Sequence, residues 1–390
     1  MNIKLELAGT KRLAAGHPWV RREDLSRFAQ PPTAGALVRL QDSMGNFLGH
    51  AVSDGPSSAI PYRVLSRSRH PQFDAAYFAG CVERALGKRP SLAKEAKAPK
   101  DELRRLIHGE ADELPGVFCD RVGSSLLLQY SSPGMLAFSS FIEDALLAQA
   151  KSRVLWRKSF GPWQNVHGRA EQRSFSAWRA GLKFMVRLDD PEEPYDFEPE
   201  AAADFERLSE LGPGAEALCV FSRRGAWPAA LGLSGAKKVL CLERDPAQVA
   251  LAQENLELNH FTGCAFEMEA GDAFSRLDRL KEKRQFNSVM VDAPTQSKTT
   301  HGRFNAAKQL PGLAARALAL VESGGWAAFS LKCGLISPAT FQGAISQGAR
   351  EAGVGLESLA LRRFPKDMPV LEGFAEGQGR LWQAWKVIKP

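Results

Sequence analysis

The chain has 390 residues, 44% of them hydrophobic and 24% charged, with a formal net charge of +7, a length that accommodates two or three domains with sizeable cores. No apolar run approaches the ~20 residues of a membrane span, and the opening MNIKLELAGTKRL lacks the apolar stretch of a signal peptide, so a cytoplasmic protein with no membrane partner is expected. Six cysteines (Cys81, Cys119, Cys219, Cys241, Cys264, Cys333) are scattered without CxxC or Cys/His ligand spacing, which argues against a metal site and a disulfide framework.

The charge is unevenly placed. Residues 1–187 carry 28 Lys/Arg against 17 Asp/Glu, a balance of +11, and residues 188–390 carry 23 against 27, a balance of −4. A basic first half points to a polyanionic partner, and nucleic acid is the usual one; a solvated basic surface is the alternative.

Residues 1–68 read as all-β. Val38-Arg39-Leu40 and residues 47–52 alternate across Asp42-Ser43-Met44-Gly45-Asn46, a turn cluster that predicts a hairpin. A further strand is expected over 60–65, where Pro61 marks an edge or an irregular start. Together with His17-Pro18-Trp19, Gly45-Asn46-Phe47-Leu48-Gly49 and Tyr62-Arg63-Val64-Leu65, this stretch resembles a PUA-type β-barrel, an RNA-binding module. His17 and Trp19 would then either touch RNA or pack the barrel base.

Residues 70–187 form a second unit. Phe73, Tyr77, Phe78, Cys81, Val82 and Ala85 have helical spacing. Residues 88–100 are polar and basic with two prolines and read as a loop. A strand is expected over 126–130 and a helix over 135–150. The segment between them and the loop is residues 105–123 (RLIHGEADELPGVFCDRVG); among its acids Glu110, Asp112 and Asp120 suit turn caps and pairs with Arg105 or Arg121 better than catalysis. Residues 151–187 carry nine Lys/Arg and one acid, with Trp156, Phe160, Trp163, Phe175, Trp178 and Phe184 interleaved. Basic residues hold phosphates and aromatic rings stack bases, so this composition suits RNA with unpaired bases; a β-hairpin connector with core-facing aromatics fits equally.

From residue 204 helices and strands alternate. Residues 217–221 are a short apolar strand, Ser222-Arg223-Arg224-Gly225 a turn, and 227–233 a helix with Pro228 in its first turn. Residues 239–242 are a second apolar strand that ends on Glu243. An acid at the tip of the second strand after a Gly-bearing first turn is the layout of an adenosyl-ligand site, in which the carboxylate takes the ribose hydroxyls. Asp245-Pro246 caps the next helix. Strands are expected over 265–268, 286–291 and 326–330, a helix over 313–321, and an antiparallel pair over 358–362 and 381–387.

The order and spacing of these motifs along the whole chain resemble the RlmI type of S-adenosylmethionine-dependent 23S ribosomal RNA (cytosine-5-)methyltransferase. Residues 105–123, Gly181-Leu182-Lys183-Phe184-Met185-Val186, residues 253–259 (QENLELN) and Asp367-Met368-Pro369-Val370 with Phe374-Ala375-Glu376-Gly377 carry the resemblance. It implies an α/β fold: a PUA-like barrel over 1–68, a central α/β domain over 70–187, and over 188–390 a Rossmann-like class I methyltransferase domain with a mostly parallel seven-stranded sheet.

The resemblance also implies site residues. Phe221, Ser222, Gly225, Glu243, Asp272 and Asp292 would hold S-adenosylmethionine. Asp292, in Asp292-Ala293-Pro294, would also orient or protonate the base. Cys333 in Phe329-Ser330-Leu331-Lys332-Cys333 would be the nucleophile, although it stands one residue out of register with the family thiol and also reads as a passive cysteine. Lys11, Arg12, His17, Arg63, Arg157 and Lys158 would contact ribosomal RNA. The first-strand motif departs from the family at Cys219, Arg223, Arg224 and Ala226, and the two arginines are expected to crowd a turn that approaches a sulfonium cation. The family's upstream Gln-Arg pair is replaced in Tyr195-Asp196-Phe197-Glu198-Pro199-Glu200. A methyltransferase is therefore expected, with a non-catalytic RNA-binding or ribosome-assembly relative as the alternative; a homodimer is one option for the assembly.

Overall fold

The computed structural model describes residues 1–27, 30–89, 99–169, 172–190, 193–299, 302–332 and 336–390. It falls into two compact units: Met1–Phe175 with Leu188–Pro194 and Lys366–Gly377, and Ser176–Arg187 with Tyr195–Pro365 and Gln378–Pro390. No helix among the described residues is long and apolar enough to cross a membrane.

The first unit begins with a five-stranded sheet. Its strands lie in the order Asn2–Lys4, Leu37–Gln41, Phe47–Ser53, Tyr62–Ser66, Trp19–Val20. The expected hairpin is present: Asp42 Oδ1 accepts from the amides of Met44 (2.9 Å) and Asn46 (2.8 Å), and Gly45 supplies the left-handed residue at φ 91°. Ile3, Leu13, Val20, Val38, Leu40, Ala51 and Tyr62 fill its core. The expectation of pure β-structure over 1–68 needs one correction, because Leu7–Ala14 is an α-helix. Its eight residues bury only Gly9 and Leu13, too few to write a helical period into the sequence. Tertiary packing specifies it instead: a Cβ on Gly9 would stand 2.6 Å from that of Asp24.

A second five-stranded sheet in this unit has the order Gln164–His167, Val154–Ser159, Ser125–Tyr130, Val117–Val122, Arg104–His108. Helices Ala75–Gly87 and Ser139–Ala150 share one core with it, through Phe78, Cys81, Val82, Ile142 and Leu146 against Ile107, Cys119, Leu126 and Leu128. Part of the loop expected over 88–100 lies outside the described residues.

The second unit is built on a seven-stranded sheet: β1 Glu216–Val220, β2 Lys238–Glu243, β3 Ala265–Ala270, β4 Phe286–Ala293, β5 Val321–Lys332, β6 Gly355–Leu361 and β7 Arg380–Ile388. Their spatial order is β3-β2-β1-β4-β5-β7-β6. The first five run parallel, and β7 is antiparallel to both β5 and β6. Leu218, Cys219 and Val220 on β1, residues 239–242 on β2 and residues 289–291 on β4 are fully buried. Strands covered on both faces read as unbroken apolar runs, which is why the sequence locates them. Six helices flank the sheet: α1 Ala202–Leu211, α2 Ala226–Leu233, α3 Pro246–Glu257, α4 Ala273–Leu280, α5 Ala306–Ala319 and α6 Pro338–Ala352. The sequence did not predict the hairpin of Gln296–Thr299 with Gly302–Asn305 between β4 and α5.

Candidate cofactor and catalytic site

The strand order reverses at β1, whose neighbours are β2 on one side and β4 on the other. In open α/β sheets ligands bind outside the carboxyl ends of the strands at such a switch point. Registration brings the expected residues to this edge: Val220 pairs with Leu242 and Val291, so the turn after β1, Glu243 and Asp292 lie at one level.

The turn after β1 is tightly specified. Phe221 (φ 62°) and Arg223 (φ 46°) are left-handed without being glycine, a conformation that costs roughly 1–2 kcal/mol at each such residue and recurs at functional sites. The amides of Phe221 and Ser222 donate to Leu242 O at 2.9 and 3.1 Å, and Arg223 N donates to Glu243 Oε2 at 2.9 Å. Gly225, at φ 90°, precedes α2 and sits against α3, where a Cβ would come within 3.0 Å of Ala252 O. Glu243 is buried and also accepts from Arg244 N (2.7 Å) and Asp245 N (3.0 Å) through Oε1. Those three bonds leave about one of a carboxylate's four acceptor positions. Ser222 Oγ is buried with no hydrogen-bond partner. An orphaned hydroxyl beside a carboxylate with remaining acceptor capacity fits a hydroxyl-rich ligand such as an adenosyl ribose. Asp272 N-caps α4, its Oδ2 accepting from Ser275 N and Oγ at 3.0 Å.

The two arginines of the turn do not crowd the ligand side as their sequence position implies. Arg224 is buried, and its Nη1 donates to Asp196 Oδ1 at 2.8 Å. Asp196 also holds Arg187 (Nε to Oδ2, 3.0 Å) and Asn255 (Nδ2 to Oδ2, 3.0 Å). Arg223 turns its Nη1 to Glu198 Oε1 at 3.0 Å, and Lys332 Nζ meets the same oxygen at 3.0 Å.

Behind them lies a residue that sequence reasoning missed. Arg380 opens β7 and is 2% exposed. Its guanidinium bonds Asp292 and Glu198, donates through Nε to Ser330 Oγ at 2.9 Å, and stands over the Trp227 ring at 5.3 Å. The carboxylates lift the Arg380 pKa further above its ordinary value, against the effect of burial. Burial acts to raise Glu198, but Arg380, Lys332 and Arg223 together hold it down at about 2. Asp204 on α1 is fully buried with no hydrogen bond from a side chain to either oxygen. Burial pushes it up to about 7, against the opposing charges of Arg362 and Arg380. No local pattern could have flagged Arg380, since its partners lie 50, 88 and 182 residues away.

Cys333 lies outside the described residues. Burial raises the thiols of the other five, to about 11 for Cys81 and Cys264 and well upward for Cys119, Cys219 and Cys241. Cys219 is sealed in the middle of β1, and Cys264 lies just before β3, at the amino end of that strand. Among the described residues no three His, Cys, Asp or Glu side chains gather where they could hold a metal ion.

The RNA candidates divide. Lys11 is exposed at the end of helix Leu7–Ala14, and Arg12 pairs with Asp24 (2.9 Å) and Glu23 (3.2 Å). Arg157, half-buried, reaches Glu143 at 3.2 Å, and Lys158 beside it is half-buried. His17 and Arg63 are buried. His17 Nδ1 accepts from Trp19 N at 3.1 Å and Nε2 meets Glu376 at 3.3 Å. Arg63 donates to Asp54 Oδ2 and Glu110 Oε1, both at 2.7 Å, and Trp19 Nε1 shares Glu110 Oε1 at 2.6 Å. Asp120 pairs with Arg105 as expected (2.6 Å), whereas Asp112 pairs with Arg89 (2.6 Å).

Comparison with known proteins agrees with this geometry. Residues 3–67 match the PUA-like domain family. Ribosomal RNA large subunit methyltransferase I of Cronobacter sakazakii is 25% identical over 97% of each chain, and that of Erwinia tasmaniensis 26% identical over the full length of both. Among solved structures, SMU.776, described as a methyltransferase and crystallised with SAH, superposes with a TM-score of 0.86 at 17% identity over 99% of each chain. A Streptococcus mutans protein described as a SAM-dependent methyltransferase gives 0.83, also at 17% identity over 99% of each chain. The chain thus carries a PUA-like domain ahead of a methyltransferase fold and is similar along its whole length to the ribosomal RNA large subunit methyltransferase I proteins.

Proposed function

We propose that the chain is a cytoplasmic S-adenosylmethionine-dependent methyltransferase that acts on large-subunit ribosomal RNA, at carbon 5 of cytosine. The observation that carries this reading is the meeting of Ser222, Glu243 and Asp292 at the β1 switch point, in a chain whose whole length resembles proteins named as ribosomal RNA large subunit methyltransferases. Bound there, the cofactor supplies an electrophilic methyl group. Glu243 would take the ribose hydroxyls, Ser222 Oγ would gain the partner it lacks, and Asp272 would meet the adenine amino group. Phe221 and Gly225 shape the turn.

Methylation at carbon 5 needs a thiolate that adds to ring carbon 6 and makes carbon 5 nucleophilic. Carbon 5 would take the methyl as S-adenosylhomocysteine departs; solvent water would take the carbon 5 proton as the bond between ring carbon 6 and sulfur breaks and the thiolate is restored. Cys81, Cys119, Cys219 and Cys241 are buried, and Cys264 stands at the amino end of β3, opposite the strand tips that carry Glu243 and Asp292; we assign the role to Cys333, as the family resemblance implies. Asp292, oriented by Arg380, holds the base. Residues 1–68 and the basic connector within 70–187 bind RNA through Lys11, Arg12, Arg157 and Lys158. His17 and Arg63 act beneath that surface, and residues 188–390 carry the chemistry.

Transfer of labelled methyl from S-adenosylmethionine to large-subunit RNA tests the proposal. Wild-type protein and Cys219→Ala are expected to methylate, and Cys333→Ala to be inactive while still binding S-adenosylhomocysteine. Absence of cofactor binding by the wild type at millimolar concentration would overturn the enzymatic reading in favour of a non-catalytic RNA-binding relative.

A further inference from the structure

We infer that Arg39 and Arg69, packed against the ring of Phe47, form a subsite for RNA backbone phosphate on the outer face of the first unit's N-terminal sheet. The inference rests on the RNA-binding reading above and adds residues that it does not use. Strand register sets the face. Asn2 pairs with Arg39 and Lys4 with Gln41; across the hairpin Arg39 pairs with His50 and Gln41 with Phe47. Side chains alternate across a strand, and Ile3, Val38, Leu40 and Ala51 point into the core. A bulge lies at Leu48, which also packs on that core. The extra residue returns Phe47 to the outer face. That face of the three strands therefore carries Asn2, Lys4, Arg39, Gln41, Phe47 and His50, with two cations and no acid.

The guanidinium carbons of Arg39 and Arg69 stand 4.9 and 5.7 Å from the centre of the Phe47 ring. The His50 ring lies 5.1 Å from it and donates through Nε2 to Arg69 O at 3.3 Å, which ties Arg69 to the sheet. Among the described residues neither guanidinium meets a carboxylate. The acids nearest along the chain are committed elsewhere. Asp42 accepts from Met44 N, Asn46 N and Asn46 Nδ2 in the hairpin turn, and Asp74 caps helix Ala75–Gly87 through Tyr77 N. Nε of Arg39 is covered, so the terminal nitrogens are its outward edge. An arginine laid on an aromatic ring holds its N–H edge in a fixed plane and loses less freedom when it binds. Phosphate oxygens take such an edge in pairs. The Phe47 and His50 rings beside the cations give the adjoining ribose or base a surface to pack on, which an acidic peptide would not use. His17 and Arg63 of the same sheet are buried and face carboxylates.

Filter binding of the full chain to a transcript of large-subunit ribosomal RNA, repeated across a series of KCl concentrations, tests this. The wild type is expected to bind, with affinity that falls as salt rises. Arg39→Gln with Arg69→Gln is expected to bind about tenfold more weakly, with the slope of log K against log salt reduced by about 1.4, the share of two phosphate contacts to an unpaired strand. Its urea midpoint should match the wild type. Arg69→Gln alone, at an exposed side chain, should show about half of that slope change. Arg39→Lys with Arg69→Lys should keep the slope and lose affinity, because the charge stays while the planar edge is gone. Wild-type affinity and slope in the double Gln variant would overturn the subsite and leave the RNA reading standing. Displacement of the RNA from the wild type by polyglutamate at equal charge would overturn it in favour of an acidic protein partner. No binding of the transcript by the wild type at micromolar concentration would overturn both.

Discussion

Each unit holds a buried network of arginines and carboxylates, and the two networks are built differently. In the first unit Arg63 is shared by Asp54 and Glu110, Arg105 by Asp120, and Arg89 by Asp112. That network is closed by further partners: Trp19, Ser132, Lys88 and backbone amides meet its carboxylates. In the second unit Arg380 joins Asp292 to Glu198, and Arg223 and Lys332 converge on Glu198 with side chains 34% and 53% exposed. Left-handed Phe221 and Arg223, the unpartnered Ser222 hydroxyl and the raised Asp204 carboxyl lie in the same unit. A satisfied network stabilises a fold; an unsatisfied one is retained at a stability cost and marks a site.

Removing the central arginine from each network gives the largest expected effects. Arg380→Met leaves Asp292 and Glu198 without their main counter-charge, and Arg63→Met does the same to Asp54 and Glu110. Breaking a buried pair by deleting one partner costs about 3–5 kcal/mol, so both variants should lose stability on that scale in urea unfolding. Their ligand behaviour should differ. Arg380→Met is expected to weaken S-adenosylhomocysteine at least about tenfold, whereas Arg63→Met should bind it like the wild type. Equal weakening in the two variants would remove the distinction between the networks.

Asp204 gives a pH-dependent difference. Its folded pKa, about 7, is raised from 3.8 chiefly by burial. The folded chain therefore holds a proton that the unfolded chain releases. Stability from this group is full below pH 3.8 and is lost as pH rises through about 7. Asp204→Asn has no such proton to lose. Relative to the wild type, the variant should gain on the order of 3 kcal/mol between pH 4 and pH 8, at about 1.4 kcal/mol per pKa unit. Parallel stability curves for the two proteins would mean that the carboxyl ionises freely in the fold.

The contrast between the networks was only partly legible in the sequence. The sheet was readable because β1, β2 and β4 are unbroken apolar runs, and α3 because Asp245-Pro246 caps it. The position of Glu243 was readable because it is local to a strand tip. Helix Leu7–Ala14 was not, since it is held by Gly9 against Asp24 and not by an apolar stripe. Arg224 looked like an obstacle to the cofactor because its partner Asp196 is 28 residues away. Arg380 stood just outside the strand expected over 381–387. His17 and Arg63 lie in motifs that resemble an RNA-binding module, yet their contacts are with Glu376, Asp54 and Glu110. Local patterns report local geometry; charge networks close through contacts that no window of sequence contains.

The smallest expected effect tests whether the turn after β1 is strained for function. Gly225 has φ 90°, and a Cβ there would lie 3.0 Å from Ala252 O and 3.1 Å from Ala252 Cα. Gly225→Ala must both hold a left-handed backbone and push α3 away, which costs on the order of 1–2 kcal/mol. The shift would reach Asn255, one turn further along α3, whose Nδ2 ties Arg224 O and Asp196 together at 3.0 Å. Loosening that tie frees Arg224 to swing toward the cofactor side. The variant is therefore expected to lose S-adenosylhomocysteine affinity by several-fold more than its stability loss alone explains at saturating folded fraction. Arg224→Gln added to Gly225→Ala should recover part of that affinity, because the displaced positive charge is gone. If the double variant binds no better than Gly225→Ala, the turn acts through its backbone shape, and the pairing of Arg224 with Asp196 is a structural contact of the closed kind found in the first unit.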